Sequence, residues 1–228
     1  MSRDDAFAEG DPASSRPSDS HSTGVAALIE RAQHGSRASM GVLLEQYRNY
    51  LSVLTATQID RRMRPRVSPS DVVQETMLRA YEHFAQFRGH SEAELMAWLR
   101  QILLNNLATF VEKHMMAARR DVRREVSLER LGASLEQSTL QLAALLPAKS
   151  ISPSMAVEQR EEVAVLADRL AQLPADYRDV LVLRNLQGLP FEEVAEQMDR
   201  SAGAARMLWL RAIERLRDTY RREEQSEA

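Results

Sequence analysis

The chain has 228 residues and contains no cysteine, few aromatic side chains and only eight glycines and eight prolines. Without cysteine it can form no disulfide and no thiolate metal site, which suits a reducing cytoplasm. No apolar run approaches the roughly 18 residues of a membrane span, so we expect no membrane insertion. The first residues, Met1–Asp5, lack the apolar core of a signal peptide. The scarcity of glycine and proline predicts a largely helical body.

The formal net charge of −3 is distributed unevenly along the chain. Residues 1–24 hold five carboxylates and two arginines, so this segment alone carries a net charge of −3. Two later stretches, 113–124 and 200–217, are strongly basic. A polyanion responds to such local fields more than to the total charge. The overall acidity therefore does not exclude nucleic acid as a partner.

Two apolar patterns near the C-terminus predict a pair of helices joined by a tight turn. The first pattern spans residues 191–198, and the second continues to about Tyr220 with its apolar residues at steps of four, three and four. Ser201 stands in the turn, where its hydroxyl can cap the second helix. The free face of the second helix carries Arg206, Arg211 and Arg215. This arrangement indicates a DNA-binding helix-turn-helix unit.

Changes in composition divide the rest of the chain. We predict an all-α protein with two small helical domains joined by a flexible linker. Helices are expected over Val25–His34, Ser39–Thr57, Glu158–Gln172 and Ala175–Leu186, and the linker contains one weak amphipathic stretch, Leu135–Leu146. Val42 is expected on the buried side of the second of these helices, and Tyr81 on the buried side of a further helix that starts near Ser68. The predicted segments are a disordered acidic tail (1–23), a first domain (24–120), the linker (121–157), a second domain (158–222) and a short tail (223–228).

Two blocks of the chain resemble the extracytoplasmic-function (ECF) group of bacterial RNA polymerase sigma factors, within the sigma-70 family. The segments Asp71–Ala80, Phe87–Gly89, Ala97–Ile102 and Asn105 resemble region 2 of that group. The segments Leu170–Pro174, Leu181–Arg184, Gly188–Ala195 and Arg211–Arg217 resemble its region 4. The resemblance covers roughly residues 25–120 and 158–218, in the expected order, and is therefore more specific than a lone helix-turn-helix.

The resemblance implies a cytoplasmic protein with no catalysis, cofactor or metal of its own. It implies binding to core RNA polymerase, through the clamp helices and the flap, and to promoter DNA. Region 2 would melt and read the −10 element, and region 4 would read the −35 element. An anti-sigma factor is a further partner implied by the family. The linker would run toward the active-site cleft and the RNA exit path of the polymerase.

The helix from Asp71 onward is expected to carry the polymerase-docking edge. Gln74 and Glu75 follow Asp71 by three and four residues, so both are its neighbours on one helix surface. The residues alone favour a solvated face with a favourable helix dipole. The resemblance favours docking on basic side chains of the clamp helices. It assigns this role to Asp71, Gln74, Glu75 and Arg79.

The −10 element is expected to contact the loop 87–94 and the long helix that follows. The pair Asn105-Asn106 is unusual in mid-helix because asparagine is a poor helix former. Its amide could bond to a neighbouring loop or be offered to an unstacked base. The resemblance favours a pocket for a flipped base, extended by basic residues that contact phosphates. The residues it assigns to the −10 element are Phe87, Arg88, His90, Asn105, Lys113, Arg119 and Arg120.

The −35 element is expected to contact the second helix of the helix-turn-helix. Its start, Gly203-Ala-Ala-Arg-Met-Leu208, keeps the family's basic position as Arg206 but lacks the usual threonine and serine hydroxyls and the second arginine. Ala204, Met207 and Leu208 could touch a thymine methyl or a sugar edge but cannot donate hydrogen bonds. Both tryptophans, Trp98 and Trp209, are expected to pack in the core rather than stack on bases. The residues assigned to the −35 element are Ser201, Gly203, Ala204, Arg206, Met207, Arg211 and Arg215.

A rival interpretation is a helix-turn-helix regulator that binds duplex DNA without serving as a polymerase subunit. It would need a sensor domain, and the first domain lacks the alternating strands of a receiver fold. Binding to core polymerase without DNA separates the two interpretations. A hydrolytic enzyme is a third and weaker candidate, because the five histidines show no metal-ligand spacing and no nucleophile motif is present.

Overall fold

The computed structural model describes residues 17–59, 68–116, 128–143, 145 and 158–226. Within these ranges the regular structure is helical, which confirms the all-α prediction. The helices are α1 (Pro17–Gln33), α2 (Arg37–Gln46), α3 (Arg48–Gln58), α4 (Pro69–His83), α5 (Glu92–Met116), α6 (Leu128–Ala143), α7 (Glu158–Gln172), α8 (Ala175–Leu181), α9 (Phe191–Gln197) and α10 (Ala202–Ser226). A short 3-10 turn, Phe84–Gln86, follows α4, and a π-helical turn, Val182–Leu186, continues α8.

Helix α1 begins at Pro17, whereas the sequence analysis predicted disorder through residue 23 and a helix only from Val25. That prediction is wrong for residues 17–23. Proline is well suited to a first helical turn, because its fixed φ is helical and its missing N–H has no partner there. Val25 and Ile29, four residues apart, are both buried and attach the helix to the core.

The single helix predicted over Ser39–Thr57 is two helices, α2 and α3, separated at Tyr47. The backbone of Tyr47 leaves the helical region (φ −97°, ψ 2°) while its side chain is buried. On α2, before the break, Leu43 and Leu44 are buried. Val42, predicted on the buried side, is instead 54% exposed.

The predicted linker contains the packed helix α6. Leu131, Leu135 and Leu142 line its buried face, and the helix contacts α3 and α5 of the first domain and α7 of the second. Flexibility was therefore a wrong prediction for residues 128–143, because the amphipathic stretch is longer than expected and finds apolar surface on both sides. The remaining linker residues, apart from Leu145, lie outside the described part of the chain.

The second domain follows the predicted order of helices. Helix α7 has the predicted bounds, and α8 with its π-helical turn covers the predicted Ala175–Leu186. Helix α10 extends to Ser226, beyond the predicted end near Tyr220. Ala205, Ala212 and Leu216 are buried along its inner face, as their spacing predicted.

One continuous hydrophobic core joins the two domains. The amide Nδ2 of Asn49 donates to Oδ1 of Asp168 at 2.9 Å, linking α3 to α7. The amide Nε2 of Gln187 reaches the carbonyl oxygens of Ala56 and Thr57 at 3.2 and 3.3 Å. The two predicted domains are therefore packed against each other in the free chain.

Candidate DNA and polymerase interfaces

The turn of the helix-turn-helix is fixed by local hydrogen bonds. Asp199 adopts a left-handed backbone conformation (φ 52°), which aspartate tolerates better than most residues. The hydroxyl of Ser201 accepts a hydrogen bond from the backbone N–H of Ala204 at 3.2 Å, so the predicted N-cap of α10 is confirmed. A salt bridge of 2.5 Å from Arg200 to Asp176 ties the turn to the start of α8. The sequence analysis missed this pair, since the two residues are 24 positions apart.

The inner side of α10 is held by Trp209. Its indole Nε1 donates to Oδ1 of Asn185 at 2.9 Å, and its ring meets Phe191 edge-on with the centroids 5.8 Å apart. The prediction that Trp209 packs in the core is confirmed. These contacts fix the rotation of α10 about its own axis, and so determine which side chains face outward.

Three arginines project from the outer face of α10. Arg206, Arg211 and Arg215 are exposed, and none forms an ion pair with another described residue. The guanidinium of Arg206 lies 5.1 Å from the ring centroid of Phe191, and that of Arg184 lies 4.7 Å from the same centroid. The stacked ring orients Arg206 while leaving its donors accessible.

The other residues at the start of α10 that were expected to contact the −35 element are exposed beside the arginines, except for Leu208. Gly203, Ala204 and Met207 are exposed. Leu208 was expected to reach a thymine methyl, but it is buried on the inner face with only 9% of its surface accessible. Successive residues of a helix are rotated by about 100° around its axis, so Leu208 faces inward although its neighbour Met207 is exposed.

The predicted polymerase-docking edge of α4 is accessible. Asp71 and Gln74 are exposed. Glu75 and Arg79 are about two-fifths exposed and form an ion pair of 2.7 Å within the edge. These four residues therefore lie together on one face, with charges of both signs.

Two apolar side chains that the sequence analysis did not assign lie on the same edge. Leu78 is 53% exposed and Tyr81 is 41% exposed, although Tyr81 was predicted to point inward. Thr76 and Ala80 take the buried positions instead. The sequence spacing already indicated this position, because Leu78 follows Gln74 by four residues and Tyr81 follows Leu78 by three. Tyr81 was nevertheless assigned to the buried side because it is aromatic. The edge thus combines acidic groups with an apolar centre.

The Phe-Arg-Gly motif has a structural explanation. The ring of Phe87 is buried, 5.7 Å from the ring of Phe84 and 5.2 Å from that of Trp98, measured between centroids. The expectation that the Phe87 side chain contacts the −10 element is therefore wrong, while Trp98 packs in the core as predicted. Gly89 lies so close that a Cβ there would meet Cζ of Phe87 at 2.6 Å. Only glycine fits this position without displacing the ring.

The loop after Phe87 is closed by a capping box. The carboxylate of Glu94 accepts hydrogen bonds from the backbone N–H groups of His90 and Ser91, at 2.8 and 3.0 Å, and from the Ser91 hydroxyl at 2.9 Å. The backbone N–H of Glu94 in turn donates to the Ser91 hydroxyl. The donated hydrogen bonds, above all that of the His90 N–H, lower the pKa of Glu94.

A third element restrains the same loop from outside. Nε2 of Gln33, in α1, donates to the carbonyl oxygen of Gly89 at 2.8 Å. Arg88 and His90 are exposed. The loop therefore presents its two predicted −10 side chains from a fixed backbone.

The two adjacent asparagines in α5 have different environments. Asn106 is buried, and its Nδ2 donates to the hydroxyl of Thr76 on α4 at 3.0 Å. Asn105 is exposed, and its Oδ1 accepts a 3.3 Å hydrogen bond from Nε2 of Gln101. Asn106 is therefore bonded internally, to a helix rather than to the expected loop, and Asn105 is accessible. Arg119, Arg120 and the Lys113 side chain lie outside the described part of the chain.

The described residues contain no group of three or more histidine, aspartate or glutamate side chains placed to hold a metal ion. In the same ranges no helix combines the length and apolar character needed to cross a membrane.

Comparison with known proteins finds similarity over part of the second domain and over most of the chain. Residues 164–216, within α7–α10, match the family model "Sigma-70, region 4". The chain is 28% identical over 193 residues to the ECF RNA polymerase sigma-E factor of Haemophilus influenzae, covering 82% of this chain and 90% of the relative. It is 29% identical over 188 residues to the sigma-E factor of Escherichia coli K12, covering 82% and 89%.

Two solved structures are also similar in sequence. They are described as "1.8 A structure of RsbN-BldN complex" (22% identity, 84% of this chain and 98% of that chain, TM-score 0.28) and "Structure of CnrH in complex with the cytosolic domain of CnrY" (21%, 86% and 96%, TM-score 0.30). Over most of its length the chain is therefore similar in sequence to ECF RNA polymerase sigma-E factors, and part of its second domain matches region 4 of the sigma-70 family.

Proposed function

We propose that this protein binds core RNA polymerase and directs it to promoters that carry distinct −35 and −10 elements. The observation that carries the proposal is the outer face of α10, where Arg206, Arg211 and Arg215 are exposed on a helix held in place by Trp209. A rigid basic helix that follows a tight turn is suited to the DNA major groove.

The arginines of α10 would have different roles at the −35 element. Arg206 is five residues from the helix-capping Ser201, near the N-terminal end that approaches base edges in such units. Arginine can donate two hydrogen bonds to O6 and N7 of guanine. Arg211 and Arg215 lie one and two turns further along, where contacts with phosphates are expected.

The outer edge of α4 would bind the clamp helices of the polymerase. Leu78 and Tyr81 supply apolar area, while Asp71 and Glu75 supply charge beside it. Exposed apolar groups with a polar rim are typical of protein interfaces. The carboxylates would orient the encounter with a basic partner surface. The second domain would contact the flap.

The loop 87–94 and Asn105 would receive a base flipped out of the −10 element. Extruding a base costs a few kcal/mol, which hydrogen bonds in a preformed pocket can offset. The bonds from Gln33 and Glu94 fix the loop before DNA arrives, so less conformational entropy is lost on binding. Asn105, Arg88 and His90 supply the accessible polar side chains.

The protein would act in the cytoplasm without catalysis of its own, because the polymerase carries the chemistry. The family resemblance adds an anti-sigma factor as a partner. Such a partner would compete with core polymerase for the free chain, and the exposed edge of α4 is a surface for which both would compete.

The proposal is tested by mixing the purified full chain with core polymerase in the absence of DNA and measuring complex formation by size-exclusion chromatography. Run-off transcription on a promoter library then measures specificity. We expect a stable complex and enrichment of promoters with two conserved elements. Binding to duplex DNA without binding to core polymerase would contradict the proposal and identify a helix-turn-helix regulator instead.

A further inference from the structure

The outward face of α10 is apolar at its centre, which is unusual for a DNA-reading surface. Met207 is 51% exposed and Leu210 is 48% exposed, one helical turn apart. Gly203 and Ala204 are exposed one turn before Met207, and a Cβ added at Gly203 would meet no atom within 4 Å. This apolar stripe, formed by Gly203, Ala204, Met207 and Leu210, therefore begins in open space at the helix N-terminus.

The position of Met207 follows from helix geometry. Ala205, Leu208 and Ala212 are buried and define the inner face of α10. At about 100° per residue, Met207 and Leu210 lie on either side of the line directly opposite that inner face. Both side chains therefore project outward from the first half of the helix.

Charge determines which partner suits the stripe. Arg206 and Arg211 lie on either side of Met207, and Arg215 extends the cationic surface along the helix. A polyanion with apolar groups between its phosphates complements this surface. In the DNA major groove, the apolar group is the 5-methyl of thymine, which distinguishes thymine from the other bases.

We propose that Met207, supported by Leu210, reads thymine methyl groups in the −35 element, on a stretch of α10 where related helices carry threonine and serine hydroxyls, and that it does so beside the hydrogen bonds proposed for Arg206. This inference rests on the proposed function of the second domain. The unbranched thioether of methionine adapts to the position of a methyl group. Gly203 and Ala204, which carry almost no side chain, allow the helix to approach closely enough for that contact.

The test uses the full chain bound to core polymerase, and duplexes selected by this holoenzyme from a library randomised in the −35 region. Each thymine of the selected element is replaced in turn by deoxyuridine, which lacks only the methyl group. At one or two positions we expect the dissociation constant to rise about fourfold, the effect of one buried methyl group. In the Met207→Ala holoenzyme, thymine and uracil should bind equally at those positions.

Two further variants separate Met207 from its surroundings. Met207→Leu keeps an apolar side chain and should retain part of the thymine preference, which also shows that the fold tolerates substitution there. Arg206→Ala should weaken thymine and uracil duplexes by the same factor. Circular dichroism of each variant verifies that α10 is intact.

The inference is overturned if uracil binds as well as thymine at every position of the wild-type holoenzyme, or if Met207→Ala keeps the difference. It is also overturned if Met207→Ala changes no DNA affinity at all, since the stripe would then be a surface for a protein partner. Selection that enriches no −35 sequence overturns both this inference and the proposed function, whereas an enriched element with no thymine-specific effect overturns the inference alone.

Discussion

The indole N–H of Trp209 points at the side-chain oxygen of Asn185, 2.9 Å away, and so joins α10 to the π-helical turn after α8. We expect Trp209→Phe to lower the free energy of unfolding by about 1 kcal/mol, because it removes this partly buried hydrogen bond and leaves the Asn185 oxygen without its donor. Urea denaturation measures the change. Leu210→Ala, an exposed neighbour, is the control and should have an effect near zero. An equal loss in both variants would show that the bond has no special role.

The capping box of the loop 87–94 predicts a pH dependence. The hydrogen bonds to Glu94 lower its folded-state pKa below the ordinary value of 4.5. Their stabilising contribution is therefore complete above about pH 4.5 and is lost as the pH falls through the folded pKa. The amide proton resonances of His90 and Ser91, followed by NMR from pH 6 to pH 3, should shift with a midpoint below 4.5. In Glu94→Gln this titration should be absent, and a midpoint at or above 4.5 would contradict the prediction.

The docking edge of α4 predicts a charge-reversal effect. Asp71→Lys combined with Glu75→Lys should abolish binding to core polymerase, since the reversed charges would repel a basic partner surface. Size-exclusion chromatography measures complex formation, and circular dichroism should show unchanged helical content. Glu30→Lys combined with Glu136→Lys, at exposed positions on α1 and α6, changes the net charge by the same amount and should bind normally. Unaltered binding of the double variant would contradict the proposal that this edge of α4 binds core polymerase.

The adjacent asparagines of α5 provide a matched pair. Asn106→Ala should lower the free energy of unfolding by about 1–3 kcal/mol, because it removes a buried hydrogen bond to Thr76. Asn105→Ala should leave stability unchanged or slightly raised, since alanine is the better helix former, and should change base preference at one −10 position in run-off transcription. If Asn105→Ala leaves the preference unchanged at every position, Asn105 has no role in reading the promoter.

The two ends of the basic face on α10 should behave differently. Arg206→Ala should relax the −35 sequence preference, by roughly 1–3 kcal/mol if the contact to guanine is bidentate. Arg215→Ala should weaken all promoters about equally and reduce the slope of log affinity against log salt by about one unit. Titrating holoenzyme on −35 variants at several salt concentrations distinguishes the two. A uniform loss in both variants would show that α10 only clamps phosphates.

The spacing of apolar residues was sufficient to predict a helix and its buried side wherever the helix packs through a single face. The helix-turn-helix is the clearest case, since Ser201 was recognised as its cap, and the bounds of α7 and the inner face of α10 also agree with the prediction. These features depend on steps of three and four residues and on one local hydrogen bond.

Periodicity failed where tertiary contacts decide between competing faces. Val42 and Tyr81 are apolar residues at acceptable spacing, yet the break at Tyr47 and the packing of Thr76 and Ala80 leave them exposed. Phe87 carries a family motif, but its ring is required in the core beside Gly89. Similarly, the packing of α6 depends on surfaces distant in sequence, so the linker's composition alone could not predict it.

The continuous core has a thermodynamic consequence. Because Asn49, Gln187 and the buried leucines of α6 connect the two domains, the free chain should unfold in a single cooperative transition rather than in two steps. Separating the two domains without unfolding either of them would require breaking these interdomain contacts. A partner that binds only separated domains therefore binds with its intrinsic affinity multiplied by the fraction of open molecules. Weakening the Asn49 contact would then raise that partner's apparent affinity without altering any residue it touches.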